Sequence, residues 1–215
     1  MNSKALEAQL SISRFQLLAR TDKAELDGEA IVGRYSAEPL VVTSAARLCE
    51  RVANLHDSPV RILEFTLRYA PLVNTVSAGA DFRLELRDWR DWRTRFRNHW
   101  DAIVKFSRHM DLQEKHPFDF PRGSQLFFSK RGNTLQLDNL LHLIDLCFNT
   151  LSWAQLRICA APDCPNPYFV TNRPKERFCN RLECKDWNDR RMKRESWNRN
   201  KDRWIAQQKK KRGGR

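Results

Sequence analysis

The chain has 215 residues, 41% of them hydrophobic, with 12 Phe and 7 Trp, enough for one domain of ordinary size and a small second one. No apolar run approaches the roughly 18 residues that a bilayer-spanning helix needs, so such a helix is excluded. The formal charge is +13, and it is unevenly placed: residues 171–215 hold 17 Lys and Arg against 6 Asp and Glu, whereas residues 1–170 hold 22 against 20. Such a distribution is the footprint of a polyanionic partner, nucleic acid foremost.

Residues 1–20 include Lys4, Glu7, Arg14 and Arg20 and lack the unbroken apolar core of an export signal, so a cytoplasmic location is expected. Strands are expected at residues 13–19 and 30–35, flanking a turn at Asp27-Gly28. Thr43 or Ser44 caps a helix that aligns Ala45, Leu48, Cys49, Val52 and Leu55 on one face. Asp57-Ser58-Pro59 starts a second helix carrying Ile62, Leu63, Thr66 and Tyr69, which Pro71 ends. Phe82, Leu86, Trp89, Phe96, Trp100, Ile103 and Met110 then recur at helical spacing and predict a long helix over residues 81–110. Its arginines (Arg83, Arg87, Arg90, Arg93, Arg95, Arg97) interleave with Asp81, Glu85, Asp88, Asp91 and Asp101, as on a solvated face with local ion pairs; a second nucleic-acid patch is the alternative.

Pro117 and Pro121 close that run. Leu126-Phe127-Phe128, a turn at Arg131-Gly132-Asn133 and Leu135-Gln136-Leu137 read as a β-hairpin. Asp138 caps an apolar helix containing Leu140, Leu141, Leu143, Ile144, Cys147, Phe148 and Leu151. Cys49 and Cys147, set among apolar residues, read as buried free thiols.

The four remaining cysteines are the most informative residues. Cys159-x4-Cys164, fourteen residues, then Cys179-x4-Cys184 supplies two thiolates from each of two turns, and the loop carries the chain back across a tetrahedral ion. Zinc is the expected metal, one per chain, in a closed structural site. Two disulfides, or cysteines that merely fill a core, are the alternatives, but a chain without an export signal is expected to stay in a reducing compartment, where lasting disulfides are rare. Pro162, Pro165, Pro167 and Pro174 keep the loop out of a helix.

The run Cys159-Ala-Ala-Pro-Asp-Cys164, Tyr168-Phe169-Val170, Arg177-Phe178-Cys179 and Cys184 with its basic helix resembles the CGNR zinc finger. In bacteria that finger commonly ends proteins that begin with the ABATE domain, which is associated with stress-induced transcription regulation. The resemblance is specific over residues 156–195, extends weakly upstream to the helix before Leu156, and does not reach residues 1–120. It implies a DNA-binding transcription regulator whose N-terminal domain receives a signal or makes a dimer. The namesake tetrapeptide reads Cys184-Lys185-Asp186-Trp187 here, so the ligand cysteines carry over and the Gly-Asn-Arg residues do not.

After Cys184, the residues Trp187, Arg190, Arg194, Trp197, Lys201 and Trp204 share one face of a helix, and Arg191, Lys193, Arg199 and Arg203 make the other sides basic. Candidate nucleic-acid contacts are therefore Arg173, Lys175, Arg177, Arg181 and Lys185 on the finger and Arg190, Arg191, Arg194, Trp197 and Lys201 on the helix. Some finger cations can instead offset the thiolate charge, and the tryptophans can pack against the N-terminal domain. The five histidines are scattered, and no phosphate loop, dinucleotide fingerprint or nucleophile elbow is present, so no enzyme is expected.

The expected fold class is α+β: a mainly helical domain with a small β-hairpin over residues 1–155, a four-cysteine zinc finger over 156–190, and a basic helix with a disordered tail over 191–215. The expected partners are nucleic acid, duplex DNA first, and a second copy of the chain, with no membrane. An RNA-binding module and a protein-interaction adaptor with a purely structural zinc site are the other readings.

Overall fold

The computed structural model describes residues 12–72, 79–107, 125–127, 133–137, 140–173 and 175–213. The fold class is α+β, and the chain divides into two compact units, Met1–Leu156 and Arg157–Arg215. In the first unit, Gly28 at φ 60° sits in the two-residue loop joining β2 (Thr21–Asp27) to β3 (Ala30–Tyr35), a left-handed position that glycine takes without strain. A third antiparallel strand, β5 (Asp81–Glu85), pairs with β3. Gly33 is required there: a Cβ would lie 2.3 Å from the Lys23 carbonyl oxygen and 2.6 Å from the Phe82 ring. A second, mixed sheet has the order β4 (Leu40–Val42), β1 (Ile12–Leu17), β7 (Asn133–Leu137), β6 (Gln125–Phe127). Its β1–β7 pair is parallel, and buried Leu17 lies opposite Leu137.

Helices α1 (Ala45–Asn54), α2 (Pro59–Arg68), α3 (Leu86–Ser107) and α4 (Leu140–Thr150) complete the unit. Ser44 accepts a hydrogen bond from the Arg47 N–H and so caps α1, while Pro59 opens α2, where its missing N–H costs nothing. The core is a run of aromatic rings: Phe65 on Trp89 at 5.2 Å, Trp92 on Phe96 at 5.4 Å, and Phe148 against both Phe96 (4.9 Å) and Trp100 (5.4 Å). Trp89 and Trp100 are buried, and emptying such a position to alanine costs about 3–5 kcal/mol.

The β part of this unit is larger than one hairpin. Residues 81–85 form a strand where the sequence predicts the start of a helix. Phe82 and Leu84 are buried between exposed Asp81, Arg83 and Glu85, a period of two, whereas the Phe82–Leu86 spacing fits either period. Strands β2 and β4 were likewise not legible. The long helix keeps its ion pairs, Arg87 with Asp91 and Arg90 with Glu29, but Arg93 is not solvated. At 3% exposure it donates to the Leu55 carbonyl and pairs with Asp57, while Arg97 donates to the carbonyls of Ala53 and Leu55. Two α3 cations thus satisfy the orphan carbonyls at the end of α1. Cys49 and Cys147 are buried free thiols, the first donating to the Ile144 carbonyl. Pro117, Pro121, the turn at residues 131–132, the Asp138 cap, Met110, His109 and His116 lie outside the described residues.

Because the first unit encloses its own core, chelation of a metal held by the second should leave its cooperative thermal transition in place. Residues 157–215 should meanwhile lose protection from protease. Disappearance of the whole transition on chelation would show one shared core instead.

Candidate metal centre and basic helix

The second unit starts within β8 (Leu156–Ile158), which pairs with β9 (Tyr168–Val170), and its last element is α5 (Leu182–Gly213). Too small for an ordinary hydrophobic core, it packs Cys159, Ala161, Phe169, Cys179 and Cys184 together, with Cys164, Phe178 and Trp187 against them. The backbone sets each cysteine. The Cys159 N–H donates to the Pro167 carbonyl at 2.7 Å, which closes the two-stranded sheet. The Cys164 N–H donates to the Ala161 carbonyl at 3.3 Å and folds the first knuckle. The Ala160 N–H reaches the Arg177 carbonyl at 2.8 Å and holds the two cysteine pairs side by side. Farther out, the Arg173 N–H donates to Thr171, whose hydroxyl bonds Glu176, tying the loop tip.

The four sulfurs lie within 4.8 Å of one another, and Cys164 Sγ to Cys179 Sγ is 3.6 Å. Ligands about 2.3 Å from a tetrahedral zinc stand about 3.8 Å apart, so the cluster fits that geometry. None of the four is in a disulfide. The set can therefore hold a metal ion, and it is the one such group among the described residues.

The electrostatics agree with a cation-binding set. Burial raises the Cys159 thiol, but N–H groups of Cys179 and Ala161 and hydrogen bonds from neighbouring thiols outweigh it, leaving the group below the ordinary cysteine value. The Cys179 N–H is 3.4 Å from Cys159 Sγ. Burial pushes Cys164 up to about 11, and it pushes Cys184 further, helped by the thiols of Cys179, Cys164 and Cys159. Four thiolates cannot crowd together uncompensated, and a bound metal cation would supply the missing charge. Cys184 lies in the first turn of α5, where the helix dipole favours a thiolate.

Cys184, the fourth cysteine of the cluster, thus belongs to the same helix as the basic residues beyond 190: α5 runs without a break from Leu182 through Lys209 to Gly213. Lys and Arg are good helix formers, and lengthening an existing helix adds a hydrogen bond for each residue fixed.

The candidate contact residues separate into distinct environments. Arg173, Lys175 and Arg177 are exposed on the loop, Lys185 is exposed on the first turn of α5, and Arg181 is half-buried beside Glu183 at 3.7 Å. Arg190, Arg194, Trp197 and Lys201 are exposed, the Trp197 residue to 53%. No carboxylate among the described residues pairs with Arg190, Arg194 or Lys201; Arg190 donates only to the Asp186 carbonyl.

Arg191 differs from its neighbours. Its guanidinium lies over both Phe178 (5.7 Å) and Trp187 (5.8 Å), and it bonds Glu195 and Asn188. Phe178 precedes a ligand cysteine, and Trp187 packs on Phe178 at 5.7 Å. Arg191 is therefore a brace between helix and knuckle, a role that sequence reading missed. The Trp187–Arg191 spacing of four residues was its only signal. Arg191→Ala should lower the affinity for zinc roughly 5- to 30-fold in chelator competition, corresponding to about 1–2 kcal/mol for two cation–π contacts. Arg191→Lys should recover only part of this, because an ammonium stacks poorly on two rings. Unchanged metal affinity in both variants would show that the stack bears no load.

Fold and site together define a two-unit α+β protein in which a four-cysteine cluster able to hold a metal ion begins a long, exposed basic helix. Compared with protein-family models, curated proteins and solved structures, the chain matches none. Among the described residues, no helix is long and apolar enough to cross a membrane.

Proposed function

We propose that the protein is a zinc-finger DNA-binding protein acting as a transcription regulator, with one structural zinc held by Cys159, Cys164, Cys179 and Cys184. Zinc suits this donor set because four thiolates at tetrahedral separation leave no open position for substrate or water. The metal would serve as a fold element that fixes the first turn of α5 and so aims the helix. The resemblance to the CGNR finger supports this assignment over residues 156–195.

One observation carries the DNA reading. Along α5, Arg190, Arg194 and Lys201 are exposed on one face, and no carboxylate among the described residues offsets them. A helix of 32 residues, about 48 Å long, that gathers unpaired cations is stabilised when phosphates approach. Binding to duplex DNA across a salt series, with these three residues intact or replaced, tests the proposal. An acidic polypeptide competing as well as DNA would favour an adaptor.

A further inference from the structure

The distal part of α5 carries more than charge. Trp197 and Trp204 are 53% and 54% exposed, their ring centroids are 6.5 Å apart and their planes meet at 44°. Lys201 lies between them on the same face, and Arg194 precedes them by less than one turn. Two exposed tryptophans beside cations that no carboxylate among the described residues pairs are costly in water unless something covers the rings. The covering partner must present both a π-face and negative charge. A second copy of this helix would bring like charges together, and a duplex hides its base faces. An unpaired nucleotide meets both demands.

We infer that Trp197 and Trp204 form a clamp for a single unpaired base, with Lys201 and Arg194 on the adjoining phosphates. The clamp rests on the DNA reading above and deepens it: the preferred ligand is a duplex that continues into a single strand. A base stacked between two rings needs faces about 6.8 Å apart, twice the ~3.4 Å stacking step of nucleic acids. The ring centroids stand 6.5 Å apart with planes at 44°, so the rings must turn toward parallel to admit a base, and both side chains are exposed enough to do so.

Fluorescence anisotropy on the full-length zinc-loaded protein tests this with four labelled ligands. These are a blunt duplex, the same duplex with a six-nucleotide single-stranded tail, the same duplex with an abasic tail, and the single strand alone. The base-bearing tail should tighten binding roughly 10- to 100-fold, the range expected for stacking one base. The abasic tail, equal in charge, should give little of that gain. Trp197→Ala with Trp204→Ala should abolish the gain, so that the variant binds tailed and blunt duplexes with the same affinity. Phenylalanine at both positions should keep most of it.

Equal gains from the two tails would overturn the clamp, as would an undiminished gain in the double alanine variant. In either case, intact blunt-duplex binding would leave the DNA reading standing. Failure of all four ligands to bind would instead reject the DNA reading. Sedimentation that shows a dimer in the parent and a monomer in the alanine variant would assign the face to self-association and overturn the clamp.

Discussion

Serine at Cys159, Cys164, Cys179 or Cys184 should each empty the metal site and unfold the second unit. The expectation is severe because the cysteines are the core: beyond them the unit packs little more than Ala161, Phe169, Phe178 and Trp187. A structural zinc site supplies about 10–16 kcal/mol of apparent binding energy, more than a unit of this size gains from burying those few side chains. Cys184→Ser should act farthest along the chain, since that ligand pins the first turn of α5. Elemental analysis of protein purified without chelator should find one zinc per chain in the parent and much less than one in each variant. Cys49→Ser and Cys147→Ser should retain full zinc, because those thiols are buried in the other unit. A metal-free parent would reject the site. Mapping the four cysteines as disulfides after lysis with thiols blocked would reject it equally.

Affinity for duplex DNA should fall steeply with salt, since each neutralised phosphate releases condensed counterions. Roughly six contacts would give a log–log slope near −5. Replacing Arg190, Arg194 and Lys201 together with alanine should flatten the slope by about 2–3 units and weaken binding at low salt. Arg191 is left out of this set because its guanidinium is spent on Phe178 and Trp187. Including it would confound lost phosphate contact with a loosened helix. Zinc content measured on the same triple variant separates the roles: normal zinc with a flattened slope supports phosphate contact. An unchanged slope with the knuckle intact would sink the DNA-contact assignment and favour an acidic protein partner.

The four-cysteine cluster was legible in the chain because a tetrahedral thiolate site would impose a local spacing rule: two pairs, each within one turn, and a loop long enough to cross an ion. The asymmetric charge was legible because it is a property of composition. The helices were legible wherever caps and apolar spacing agreed, as at Ser44 for α1 and Pro59 for α2. Strand β5 was hidden because Phe82 and Leu86, four apart, satisfy a helix as well as a strand that runs into one.

Other features depend on partners distant in sequence. Arg93 and Arg97 look like surface cations until folding places the open carbonyls of Ala53 and Leu55 beside them. Gly33 looks like an ordinary strand residue until Phe82 crosses it. Arg191 reads as one more surface cation of the helix by sequence and belongs to the knuckle by contact, since Phe178 approaches it only once the loop has folded back. By itself, then, the sequence determined the cysteine spacing, the charge of α5 and the starts of α1 and α2, all of which follow from short-range stereochemistry and composition. The tertiary structure alone decided which cations are spent on carbonyls and rings and which stay open to a partner. Burial is set by neighbours that arrive from elsewhere in the chain, and no local pattern encodes them.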